Sequence, residues 1–158
     1  MEKYILTNDS VEFDGHTLYR IKAIRDIPEH NVKAGDLGGY IEHERNLLHE
    51  GNAWVSDEAY VFGDAMVFGN AFVSGHAMIY QKARVFGSAK ILGDAQIYGC
   101  AWVYDDAKIL GFAHVAGSSK VSGNAEISGY AMVYGKSNIL GNAYISGDTA
   151  VFCKEIHS

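Results

Sequence analysis

Residues 59–79 read AYVFGDAMVFGNAFVSGHAMI, with Val61, Val67, Val73 and Ile79 exactly six residues apart. Outward from this stretch, Val or Ile recurs at every sixth position from Val55 to Val151, seventeen times with no insertion. Two residues before each aliphatic stands a small residue, Ala in fourteen cases and Ser119, Ser137 and Thr149 in the rest. Two residues after it, or at the matching place ahead of Val55, stands Gly in fourteen cases; Asp57, Gln81, Asp105 and Cys153 are the exceptions. Residues two apart on a strand share a face, so the small residue and the aliphatic point inward together. Glycine then marks a corner, where the chain turns and a Cβ is costly. The repeating unit is a short strand and a corner.

The number of corners per coil follows from the outward residues. Read every eighteen residues, they sort into columns: Phe62, Tyr80, Tyr98, Ala116, Tyr134, Phe152; then Ser56, Ser74, Leu92, Leu110, Ser128, Ser146; then Phe68, Phe86, Tyr104, Ser122, Leu140. A reading every twelve residues mixes aromatics with serines. Three hexads per coil are therefore expected, closing a triangular prism of five to six coils about 27 Å long at ~4.8 Å per coil. A corner column of Asn52, Asn70, Ser88, Asp106, Asn124 and Asn142 suggests a ladder of hydrogen-bonded side chains. Cys100 and Cys153 fall near one corner three coils apart, roughly 14 Å, so free thiols are expected.

Residues 1–50 lack the repeat. Lys3–Thr7 and Thr17–Ala23 read as strands around the turn signal Asp14-Gly15, a hairpin. Ile41 and Leu47 read as an imperfect first pair of core positions. Since a β-helix has open ends with unpaired backbone, residues 1–50 are expected to form an N-terminal cap and lead-in to a repeat domain of residues 51–158.

The repeat carries a resemblance. Val67-Phe-Gly-Asn-Ala-Phe72 and its copies resemble the hexapeptide repeat of left-handed parallel β-helix proteins, although glycine here comes two places after the aliphatic rather than immediately after. Lys33-Ala-Gly-Asp-Leu-Gly-Gly-Tyr-Ile41, Asn46-Leu47 and Glu50-Gly-Asn-Ala-Trp-Val55 resemble the opening of YdcK-like hexapeptide-repeat proteins of phages and prophages. The resemblance implies an all-β fold, a single-stranded left-handed parallel β-helix, and assembly as a homotrimer. A phage origin would make a counter-defence role reasonable, in which the protein inhibits a host protein or sequesters a small nucleotide between subunits.

Composition excludes several classes. A net charge of −6 with no basic stripe speaks against a nucleic-acid duplex or an anionic membrane as partner. No apolar run approaches the ~20 residues needed to span a bilayer. The first residues show no basic start followed by an apolar stretch, so a cytoplasmic location is expected. Phosphate-loop and dinucleotide fingerprints are lacking, and no cofactor is expected.

Candidate chemistry is sparse. Hexapeptide acyltransferases use a histidine base and a loop that interrupts the coils; here no loop interrupts residues 55–151, and His76 and His114 each stand alone in a column. His43 and His49 near Glu42, Glu44 and Glu50 match no standard metal-ligand spacing. The outward faces, in contrast, are rich in residues that interfaces favour. Tyr60, Phe62, Met78, Tyr80, Tyr98, Met132 and Tyr134 lie on one face, and Phe68, Phe86, Trp102 and Tyr104 on another. These residues are the expected contact surface for a second copy or another partner. The expectation is a non-catalytic, homo-oligomeric binding protein, with an acyl-CoA-dependent acyltransferase and a passive scaffold as alternatives.

Overall fold

The structure is a computed structural model and describes residues 2–157. The chain is all-β apart from two short 3-10 turns at Pro28–His30 and Glu44–Asn46. Three long strands come first: β1 (Tyr4–Phe13), β2 (His16–Ala23) and β3 (Leu37–Ile41). From Trp54 onward the chain makes only two- and three-residue rungs, which pair in parallel with the rung eighteen residues on, the last face III pair (Asn138–Ile139 with Glu155–Ile156) at seventeen. The rungs stack into three sheets. Face I carries Tyr60–Val61, Met78–Ile79, Gln96–Ile97, His114–Val115, Met132–Tyr134 and Ala150–Phe152. Face II begins at Trp54–Val55 and ends at Tyr144–Ile145, and face III runs from Met66–Val67 to Glu155–Ile156. The three-hexad coil and the parallel β-helix expected from the columns are both present.

Every Ala and aliphatic of the repeat from Ala53 to Val133 is fully buried, and Ser119 and Ser137 take the place of Ala without exposure. Coil joins coil through backbone bonds such as Tyr60 N–H to Ala77 O (2.9 Å) and Phe62 N–H to Ile79 O (3.0 Å). Corners take a left-handed conformation with φ between 63° and 72° at the glycines from Gly63 to Gly147. Most are also crowded: a Cβ on Gly117 would lie 2.5 Å from the Gly135 carbonyl oxygen of the next coil.

Three of the non-glycine corners have compensating bonds. Asp57, Gln81 and Asp105 hold φ of 54–60°, and their side-chain oxygens accept the N–H of Gly75 (3.1 Å), Gly99 (2.8 Å) and Gly123 (3.1 Å) one coil on. The expected ladder through Asn52, Asn70, Ser88, Asp106, Asn124 and Asn142 does not form among the described residues. Asn52 is half-buried and the other five are exposed, the backbone N–H groups of all but Asn142 already bond the next coil, and the side chains spread into solvent. The side-chain bonds between coils at the corners come one position earlier, singly, one in each of the three corner columns.

The hairpin is longer than its sequence signal. Asp14 and Gly15, at φ of 51° and 80°, make the two-residue turn, and β1 runs to Phe13 with an irregularity between Leu6 and Ser10. β2 pairs with β3, and Tyr40–Ile41 of β3 pairs in parallel with Tyr60–Val61. Leu47 bridges Val67, so the first coil starts within the lead-in, with both Ile41 and Leu47 fully buried. Asn46 fixes its first corner: its Oδ1 accepts the N–H of Glu42 and His43, and its Nδ2 donates to Gly63 and Ala65 carbonyls.

Alternation splits the hairpin between two tasks. Ile21, Ala23 and Tyr4 join the main core and close its N-terminal end, whereas Leu18 packs with Tyr40 and Phe62 outside face I. Arg20 clamps the two together. Its guanidinium lies 4.4 Å over the Tyr40 ring, donates to the Gly38 carbonyl at 2.8 Å and pairs with Glu58 at 3.0 Å. The cost is Lys3, fully buried with an ammonium that finds no hydrogen-bond acceptor. Burial, helped by the Arg25 charge, brings its pKa down to about 8.

Two predictions follow from these features. Gly147 has the same left-handed φ as Gly117 but nothing within 4 Å of an added Cβ. Gly147→Ala should therefore cost about 1 kcal/mol in urea unfolding and Gly117→Ala at least about twice that; equal costs would show that φ alone sets the glycine requirement. For Lys3, the unfolded chain keeps its proton up to pH 10.5 whereas the folded chain loses it near 8. The penalty is complete below pH 8 and is relieved as pH rises toward 10.5. Lys3→Met should stabilise the fold at pH 7 by roughly 2–3 kcal/mol, with the gain shrinking by pH 9.5; a pH-independent difference would contradict the buried charge.

Candidate functional site

The expected contact residues lie on two faces with different surroundings. On face III, Phe68, Phe86 and Tyr104 stack with parallel rings 4.9 and 5.0 Å apart. Trp102 beside them lies between two cations, Arg84 at 5.8 Å and Lys120 at 4.9 Å from its ring. This face is aromatic but edged with positive charge.

Face I is divided by the hairpin. Phe62, Tyr80 and Tyr98 form a parallel stack at 5.1 Å spacing. Phe62, expected to be a contact residue, is only 3% exposed because Phe13 and His16 sit against it at 5.7 and 5.0 Å. Tyr60 is likewise half-buried under Phe13. The proximal part of the expected strip is thus an internal contact made by the chain's own hairpin, and Phe62 is not available to another molecule. Met78, Tyr80 and Tyr98 are half-buried, while Met132, Tyr134 and Phe152 beyond them are exposed. The stack is interrupted at Ala116, where the column has no ring.

Where the hairpin tip lands, it builds a second feature that sequence reading missed. His16 Nδ1 lies 2.9 Å from Glu42 Oε2, and the other carboxylate oxygen of Glu42 accepts the Gly63 N–H at 2.9 Å. Burial opposes ionisation of Glu42. The His16 and Gly63 hydrogen bonds and the nearby His16 and His43 outweigh it and hold the carboxyl below its usual range. Beside this pair runs a groove of about 510 Å³ between the hairpin tip and the glycine corner. Phe62 and Tyr80 line it, with Asp14 and His16 on one side and Lys82 and Cys100 on the other. No local motif announces it, because His16 and Glu42 are separated by two strands. The only signal was the Asp14-Gly15 turn, which fixes where the tip falls.

The other candidates stay apart. His76 is exposed at a corner. His114 is half-buried on face I two coils further on, its Nδ1 3.3 Å from the Tyr98 hydroxyl, and burial lowers its pKa. Neither pairs with a carboxylate among the described residues. Glu2, Glu44 and His49 come within metal-ligand reach of one another. However, His49 Nδ1 accepts the Lys3 backbone N–H at 3.1 Å, which leaves the proton on Nε2, bonded to Glu44 at 2.9 Å. Both ring nitrogens are occupied, so a cation there would have to displace one of these bonds. Cys100 and Cys153 are exposed free thiols, as expected. Among the described residues no helix is long and apolar enough to cross a membrane. Compared with known proteins, the chain matches no family model and no curated protein sequence.

The Glu42 pair makes a testable contribution to stability. Glu42→Gln should cost about 1–2 kcal/mol at pH 7, since a charged acceptor of two bonds is lost. Because the folded pKa lies below the ordinary 4.5, that contribution is present above pH 4.5 and fades as pH falls through the folded value. Urea unfolding at pH 7 and pH 3 should show the gap between wild type and variant closing; a constant gap would rule out an ionised Glu42.

Proposed function

We propose that the chain is a non-catalytic binding protein that works as a homo-oligomer, a trimer as its hexapeptide resemblance implies, with the distal half of face I as the subunit contact. One observation carries this reading. The outward positions of face I, from Tyr60 to Phe152, include no Asp, Glu, Lys or Arg, whereas face II presents Lys90, Lys108 and Glu126 and face III Arg84, Lys120 and Glu155. Its one titratable imidazole, His114, is pushed toward the neutral form.

A neutral face offers no charge pattern to steer an oppositely charged partner. It does suit a second copy: two such faces meet without like-charge repulsion, although the chain as a whole carries −6. Within face I the open half is where the large apolar residues are exposed, with Met132 at 43% and Phe152 at 55%. The uninterrupted coils, and the lack of a carboxylate partner for His76 or His114 among the described residues, favour binding over acyl transfer.

Sedimentation equilibrium at about 10 μM tests the proposal. Wild type should sediment as a multiple of 17.2 kDa, and the double variant Met132→Lys, Tyr134→Lys as a monomer with an unchanged circular dichroism spectrum. Both side chains are exposed, so the fold tolerates the change. A monomeric wild type, or a variant with wild-type mass, would refute the face I contact.

A further inference from the structure

The groove beside the hairpin tip is independent of the distal face I contact. Its floor is apolar, offered by the half-buried Tyr80 ring, which is backed by the buried Phe62 ring in parallel at 5.1 Å. Its backbone is already satisfied: Gly63 N–H bonds Glu42, Gly99 N–H bonds Gln81, and the Gly99 carbonyl accepts the Lys82 N–H. Recognition there falls to side chains.

Two of those side chains carry unspent charge of opposite sign. Asp14 at the hairpin tip and Lys82 at the facing corner both line the groove, and neither makes a hydrogen bond or ion pair through its side chain with any described residue. Asp64, by contrast, is paired with Arg45 at 3.2 Å, and His16 is engaged with Glu42. The wall bearing Asp14 is held in place by the His16–Glu42 bond and by Phe13 on Phe62 and Tyr60, so the carboxylate is pre-positioned rather than carried on a free loop.

We propose that this groove binds a planar aromatic zwitterion of about amino-acid size. Its ammonium pairs with Asp14, its carboxylate pairs with Lys82, and its ring packs on the half-buried Tyr80. Aromatic packing in offset or edge-to-face geometry supplies the apolar contact, and the two charges fix the orientation. The volume of about 510 Å³ accommodates such a molecule with some water.

Nuclear magnetic resonance titration of the full ¹⁵N-labelled chain tests it with three probes: L-phenylalanine, phenethylamine and 3-phenylpropionate. Phenylalanine should give saturable shifts at Gly63, Gln81 and Gly99, and each single-charge analogue should bind about tenfold more weakly. Asp14→Asn keeps the turn, since Asn-Gly suits it as well as Asp-Gly; it should weaken phenylalanine while leaving phenylpropionate unchanged. Lys82→Gln should do the reverse, weakening phenylalanine and sparing phenethylamine. No saturation by about 10 mM, equal binding of the three probes, or variants that bind like wild type would overturn the proposal.

Discussion

Each coil must lie on the next at strand spacing, so a residue of the regular coils has a counterpart eighteen positions away that must fit against it. This stacking constraint governs the rest of the structure. Inside, it leaves room for one small and one β-branched residue per side, which is why Ala and Val or Ile recur without drift. At most corners it brings backbone so close to backbone that a Cβ is crowded, and where Asp57, Gln81 and Asp105 replace glycine their side chains bond the next coil. On the outside it turns single aromatics into parallel stacks, because a ring placed once is placed again one coil on.

Stacking has no natural end, and the N-terminal fifty residues supply one. Their hairpin covers the first coil with Tyr4, Ile21 and Ala23 and, on its opposite side, lies against the outer rings of face I. The arrangement costs the fold a buried ammonium at Lys3, next to the apolar groups that make the cover effective. It also clamps the lead-in through Arg20, whose single side chain reaches β3 and the first complete coil. Closure and surface coverage are thus made by one hairpin, the seal at its base and the outer groove at its tip.

The repeat was legible because periodicity is a local property that stacking makes visible at long range. Hexads gave strands and corners, and the eighteen-residue columns gave three faces, all of which the structure contains. What lay outside the repeat was less legible. Phe62 belongs to the same column as Tyr134, and sequence periodicity assigns both to an outer surface; only the landing of Phe13 and His16 makes one buried and the other exposed. The expected corner ladder is missing because the side-chain bonds between coils come singly from residues that substitute for glycine, not from the stacked Asn side chains. The His16–Glu42 pair and its groove depend on the path of two strands and had no sequence signature beyond a turn dipeptide.

The division of face I follows from the length of that hairpin. A shorter β1 and β2 would still seal the core, since Tyr4, Ile21 and Ala23 lie at the hairpin base. The tip residues Phe13 to His16 add nothing to the seal; they extend over Tyr60 and Phe62 and bring Asp14 opposite the Lys82 corner. Covering those two rings removes the most apolar part of the neutral face from contact with other molecules, and confines any association through face I to the coils beyond Tyr98. The extra length therefore does two things at once: it narrows the exposed part of the neutral face, and it makes a walled groove on ground that would otherwise be flat.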